Sequence, residues 1–294
     1  MGAGHGHAGG RHRWRLAAAF ALVAAYFVVE LTYGLIAHSL ALLSDAGHMA
    51  ADVVALGAAL SATRIATRRD TTGRRTFGSY RAEVFASGLT VLLMLAAAAY
   101  VGVEAVGRIG DDVEVASGPM LVVGGIGLLV NIAALALLRG GAAESLNVKS
   151  AYVEVVADAL GSVGVVAAGI LVARTGDAGW DTGVALAIAA FVAVRAALLG
   201  REVLAVLGQH APAGVDPAEV ETALRDVVGV EEVHDLHLWT LTSGMHVATA
   251  HLVADCAADG VLTEAMALLR TRFGIEHATL QVETGARNCS EVSW

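Results

Sequence analysis

A six-helix, all-α transmembrane domain followed by a small α+β domain is the fold class this sequence predicts, on three observations. The 294 residues are 56% hydrophobic and only 16% charged, against about 25% charged in an ordinary globular chain, and the mean hydropathy is +0.65. Apolar blocks of Ala, Val, Leu and Gly recur at lengths of about 18 residues or more, the mark of a spanning helix. From about Gly208 that character stops, and periodic polar sequence with Pro and Gly punctuation replaces it.

Taken in order, residues 1–15 are a tail with Arg11, Arg13 and Arg15 ahead of the first apolar run. No small-residue cleavage site follows a short apolar core and the run continues to about Ile36, so it is read as an uncleaved first span. Spans are predicted over 16–37, 40–62, 82–106, 117–138, 149–173 and 180–200, each with the roughly 20 residues that a ~30 Å hydrocarbon core requires. The connection "AHSLA" makes the first two antiparallel neighbours. Arginines such as Arg64, Arg68, Arg74 and Arg81 crowd the loop after the second span, whereas the opposite loops carry Arg108 and Arg174 among acids. The positive-inside rule then places both termini in the cytoplasm. The transmembrane domain is expected over 16–207.

Residues 208–294 read as the second domain. Asp216 and Pro217 are cap and first-turn residue of a helix with Val220, Leu224 and Val227 on one face. "GVEEVHDLHLWTLTSG" and "MHVATAHLVAD" alternate as strands about the turn Ser243-Gly244. "GVLTEAMALLRTRFG" is a second amphipathic helix and "HATLQVE" a third strand. That order suggests a ferredoxin-like unit with helices on one face of an antiparallel sheet. Its core is small, so it is expected to lean on a partner. Two cysteines, Cys256 and Cys289, imply no disulfide framework and suit a reducing cytoplasm. The net charge of −9 comes largely from acids after Glu202 and in two short loops; no nucleic-acid partner is expected.

The chemistry lies where lipid should be. "SDAGHMAAD" sets Asp45, His48 and Asp52 on one helical face of the second span, at steps of three and four. "NVKSAYVEVVADALGSVGVV" repeats the device in the fifth, with Glu154 and Asp158 four apart. A charged group at mid-bilayer costs about 2.5 to 3.5 kcal/mol even on lenient scales. A lone membrane His or Asp serves as well for an interhelical hydrogen bond, but two such pairs on separate helices point to a four-ligand metal cage. Small residues flank both pairs, which lets the helices approach. Imidazole and carboxylate suit a divalent first-row ion, zinc being the default for tetrahedral N and O ligation. Asp45 is either an accessory to this cage or a group nearer the headgroups. Glu30 reads as a helix-packing or proton-accessible group, and Asn131 as a hydrogen-bonding bridge.

Those two motifs, with "TFGSYRAEVFASGL" and "HDLHLWTLTSG", resemble the cation diffusion facilitator family, and the match runs from about Arg15 to Glu283. The resemblance implies six spans, a cytoplasmic metal-binding domain, a homodimer in the lipid bilayer, and export of zinc in exchange for protons. It implies His48, Asp52, Glu154 and Asp158 as the transport site. Glutamate at 154, where most zinc members carry histidine, resembles the bacterial cobalt-zinc-cadmium branch, which brings Co2+ and Cd2+ in as further cargo and a bacterial cytoplasmic membrane as the location. In the second domain it implies a site from His234, His251, His277 and Glu283, with Cys289 as a further candidate. His277 and Glu283 are six apart on one strand face, and His234 and His251 stand at opposite ends of the hairpin's two strands; isolated sheet histidines are ordinarily only half-buried packing residues. Asp70 alone in its arginine-rich loop makes no loop site, and His5, His7 and His12 read as a plain tail. An intramembrane metallohydrolase would want a motif such as HExxH, which does not occur; no enzyme is expected. A passive channel or membrane metal sensor with the same ligands is the alternative.

Overall fold

The computed structural model describes residues 13–66, 74–109, 113–142, 146–242, 244–254 and 258–283. The N-terminal histidines, Asp70, Cys256 and Cys289 lie outside them. Among the described residues six long helices come first: α1 (Arg13–Ile36), α2 (Leu40–Ala66), α3 (Ala82–Gly107), α4 (Ser117–Ala142), α5 (Leu146–Thr175) and α6 (Gly179–Leu207). Then follow α7 (Pro217–Arg225), β1 (Val230–Thr242), β2 (Met245–Ala254), α8 (Ala258–Phe273) and β3 (His277–Glu283). Among the described residues, α1, α3, α4, α5 and α6 are each long and apolar enough to cross a membrane. The protein is therefore a multi-pass membrane protein. In α2, Asp45, His48 and Asp52 interrupt the apolar run.

The chain forms two compact units, one from residues up to Ala58 with Leu89–Leu199, the other from Ala59–Gly88 with Gly200 onward. The first unit packs Tyr26, Leu42, Met49, Met120, Val123 and Val165 at its centre, while Leu92, Val103, Leu129 and Val194 point outward, each at least 60% exposed. Apolar side chains inside and outside alike are what a helical bundle in lipid needs, because the bilayer is as apolar as the core. Close approach is arranged by glycine. A Cβ at Gly127 would stand 2.3 Å from the Tyr26 hydroxyl, and one at Gly161 2.6 Å from Asp45 Oδ1, so α4 meets α1 and α5 meets α2 only with bare backbone at those points.

In the second unit, Asp216 caps α7 by accepting from the Ala218 N–H at 3.0 Å, with Pro217 in the first turn. Strands β1 and β2 pair antiparallel up to Thr242 opposite Met245, where Gly244 takes a φ of +72°. Val220, Leu224, Val233, Leu252, Leu269 and Ile275 form the core beneath the sheet. The sheet order is β1-β2-β3, and β2 pairs with β3 in parallel. The expected purely antiparallel sheet is thus corrected to a mixed one. The 16-residue α8 spans the sheet as a crossover and returns the chain in the direction it left, which a hairpin cannot do.

Candidate metal centres

The 3.6-residue period of α2 puts His48 and Asp52 one turn apart, and α5 brings Asp158 against them. His48 Nε2 lies 3.6 Å from Asp52 Oδ2 and 3.4 Å from Asp158 Oδ1. One ligand atom from each of the three falls within 4.8 Å of the others. A tetrahedral ion with bonds of about 2.1 Å has ligand atoms about 3.4 Å apart, so these separations are those of two edges of such a shell. His48 and Asp158 are buried and Asp52 is half-buried. Asp158 Oδ1 accepts no hydrogen bond among the described residues, which leaves it free to take a cation.

Glu154, one turn before Asp158 on α5, is outside that cluster. Its Oε1 is ion-paired with Nη2 of Arg195 on α6, and Arg195 Nη1 lies 3.0 Å from His48 Nε2. Guanidinium only donates, so the imidazole presents its lone pair to Arg195. Sequence reasoning passed over Arg195, although a single arginine inside an apolar span is itself a signal.

Behind the cluster, the buried Tyr26 hydroxyl lies 3.1 Å from Glu30 Oε1 and 2.9 Å from the Val123 carbonyl, with one proton to donate between them. Glu30 is fully buried, and Asn131 Nδ2 donates to Ser162 Oγ at 3.2 Å, bridging α4 and α5. Asp45 is buried beside Gly161 and does not join the ligand cluster. Asp181, at the start of α6, caps a different helix: it accepts from Ser39 Oγ at 2.6 Å and from the Leu40 and Ala41 N–H groups of α2 at 2.7 and 3.1 Å. Arg108 stands 3.9 Å from the same carboxylate and donates to the His38 carbonyl at 2.7 Å. Caps are read from sequence as local residues; one that comes from 140 positions away leaves no local trace.

In the sheet, His234 near the start of β1 and His251 near the end of β2 are direct cross-strand partners, with rings 5.1 Å apart and edge to face. Glu283 approaches His251 Nδ1 at 3.1 Å and His234 Nε2 at 3.6 Å, and these three form a second group able to hold an ion. His277 is not brought to them. It begins β3 while Glu283 ends it, and six steps of about 3.3 Å put roughly 20 Å between them although they share a face. The His277 ring instead meets Phe77 edge to face at 5.6 Å.

The family model described as "Cation efflux transmembrane domain" matches residues 16–207, and that described as "Cation efflux protein, cytoplasmic domain" matches 212–285. The chain is 42% identical over 288 residues, 96% of its length and 90% of the relative's, to the "Metal cation efflux system protein CzcD" of Cupriavidus metallidurans. It is 33% identical over 296 residues, 98% of the chain and 94% of the relative, to the "Cadmium, cobalt and zinc/H(+)-K(+) antiporter" of Bacillus velezensis. A solved structure of the metal-bound C-terminal domain of the CzcD transporter is 44% identical over 24% of this chain and 99% of its own, at a TM-score of 0.23. With two carboxylates and an imidazole gathered between two helices, and both family models matched in sequence order, the chain belongs to the cation efflux family, the cation diffusion facilitators, in its cobalt-zinc-cadmium branch.

Proposed function

We propose that the protein exports zinc from the cytoplasm in exchange for protons by alternating access, with cobalt and cadmium as further cargo. As a member of its family it is a divalent metal cation efflux transporter. The observation that carries the zinc reading is the convergence of His48 Nε2 with Asp52 and Asp158 at tetrahedral-edge separations inside α2 and α5. In this reading those three side chains hold the cargo, with Glu154 beside them as the fourth group. Six spans are inferred by adding α2 to the five apolar helices. Both termini and the second domain, taken as 208–294, face the cytoplasm of a bacterial cell, by the arginine distribution of the loops.

Rocking of the helices then presents the cluster to either side, as alternating access requires. Two protons carry the charge of one divalent ion, so their exchange is electroneutral. Exchange for one proton would move net charge outward against an inside-negative potential, at about 2.3 kcal/mol per 100 mV. The second domain pairs two copies of the chain by burying a face of each against the other, and His234, His251 and Glu283 hold a regulatory ion there. His277 has a packing role against Phe77, and Asp45 supports α2 against α5.

The test is flux. Purified protein in proteoliposomes carrying a pH-sensitive and a metal-sensitive dye is given zinc, cobalt and cadmium in turn, beside Asp52→Ala and Asp158→Ala. Opposite metal and proton fluxes, both lost in the two variants, are expected. Metal flux without proton movement would turn the reading to a passive channel, and no flux with metal bound would turn it to a sensor.

A further inference from the structure

Arg195 is the feature the transport reading leaves unexplained. Its guanidinium cannot be deprotonated in a protein, yet it sits on α6 with one nitrogen on Glu154 and the other 3.0 Å from His48 Nε2. The groups in direct contact at the ligand cluster are His48 and Asp52 from α2, Glu154 and Asp158 from α5, and Arg195 from α6, while the buried Asp45 of α2 stands apart from them beside Gly161. A divalent ion among three carboxylates and a neutral imidazole sums to −1; with Arg195 the loaded cluster is neutral. Net charge is costly in the low-dielectric interior of a span, so the balance matters for carrying the ion across.

Geometry adds a second consequence. The lone pair of His48 Nε2 serves either the Arg195 N–H or a metal ion, not both at once. Cargo that binds His48 must therefore displace Nη1, while Nη2 can stay on Glu154. The fork of arginine permits that division of labour; a point charge such as lysine keeps the charge but not the two contacts.

We propose that Arg195 is a tethered counter-cation of the transport site, which, anchored on Glu154, contests His48 with the transported ion and so neutralises the loaded site while weakening its hold enough for release. Arg195 is a specificity-determining and positioning residue in this account, and Glu154 contributes through it rather than as a direct ligand. The inference rests on His48, Asp52 and Asp158 being the transport site.

The experiment measures zinc affinity by calorimetry and zinc flux in proteoliposomes on the full chain, all in an otherwise Glu283→Ala background so that the cytoplasmic group does not contribute. Arg195→Gln should tighten zinc binding by about tenfold or more, since a unit positive charge close to a divalent ion is removed, and should lower maximal flux because release is slowed. Glu154→Gln leaves the guanidinium unopposed and should weaken binding by about tenfold or more on the same argument. The double variant Glu154→Gln/Arg195→Gln restores neutrality and should return affinity to within about threefold of the parent, whereas Arg195→Lys, which keeps the charge but not the contact with His48, should bind zinc more tightly than the parent and less tightly than Arg195→Gln. Unchanged affinity in Arg195→Gln overturns the proposal. A double variant that binds as weakly as Glu154→Gln alone also overturns it, by making Glu154 a direct ligand. Should Arg195→Gln not fold, comparison of Glu154→Gln with the double variant decides. Zinc flux that survives Asp158→Ala would sink the transport-site reading itself, whatever the Arg195 variants do.

Discussion

Replacing Asp181 should loosen the start of α2, the helix that carries His48 and Asp52. Asp181 is fully buried and its carboxylate accepts from the Ser39 hydroxyl and from two backbone N–H groups, Leu40 and Ala41. Asp181→Ala strands those three donors away from water and removes the anion that faces the helix N-terminus and Arg108. A buried donor left unsatisfied costs about 1–3 kcal/mol; allowing one of the three to find a new partner, the loss is about 2–6 kcal/mol. At about 2–4 °C per kcal/mol for a chain of this size, the apparent melting temperature should fall by about 10 °C. Asp181→Asn keeps one acceptor oxygen and should lose roughly half as much, as a neutral acceptor is weaker than a charged one. Purified variants in detergent, heated and followed by fluorescence-detected size exclusion, give the ranking. A melting temperature for Asp181→Ala within about 2 °C of the parent would refute the argument that this carboxylate holds the helix start in place.

Three further outcomes follow from local geometry. Gly161→Ala would put a methyl 2.6 Å from Asp45 Oδ1 and should cost about 1–3 kcal/mol by overpacking, whereas Gly125→Ala, with open space around it, should be neutral or slightly stabilising; thermal unfolding of the pair separates them. Glu283→Ala removes the carboxylate shared by His234 and His251 and should eliminate one zinc equivalent per chain in equilibrium dialysis of the full protein, while His277→Ala, remote on β3, leaves the count unchanged. Asp216→Ala takes away the acceptor for the Ala218 N–H and should destabilise the first turn of α7 by about 1 kcal/mol, read as faster amide hydrogen exchange confined to that turn.

Much of the molecule is legible in the chain because it is written at short range. The steps of three and four in "SDAGHMAAD" and "VEVVAD" place side chains on a helix face whatever the tertiary structure does, and the structure gathers His48, Asp52 and Asp158 accordingly. Asp216 as a cap is legible for the same reason, whereas Asn131 is legible as a bridging amide only by its polarity inside an apolar span, its partner Ser162 lying on another helix. What escapes depends on distance in sequence. Arg195 matters only through α5 and α2, and Asp181 only through an interhelical cap. His277 illustrates the opposite error: alternation assigns a strand face but says nothing of position along the strand, and a seven-residue strand is long enough to keep its two ends apart. The parallel pairing of β3 was likewise hidden, since an intervening helix permits either direction until its packing is known.

The central claim is that the transported ion is held by one imidazole and the carboxylates of α2 and α5. X-ray absorption at the zinc edge on the full-length Glu283→Ala protein tests it directly. The account predicts low coordination number, one nitrogen and oxygen ligands at about 2.0–2.1 Å, no sulfur, and loss of that spectrum in Asp158→Ala. A zinc spectrum that is sulfur-rich, or one that survives Asp158→Ala unchanged, would contradict it.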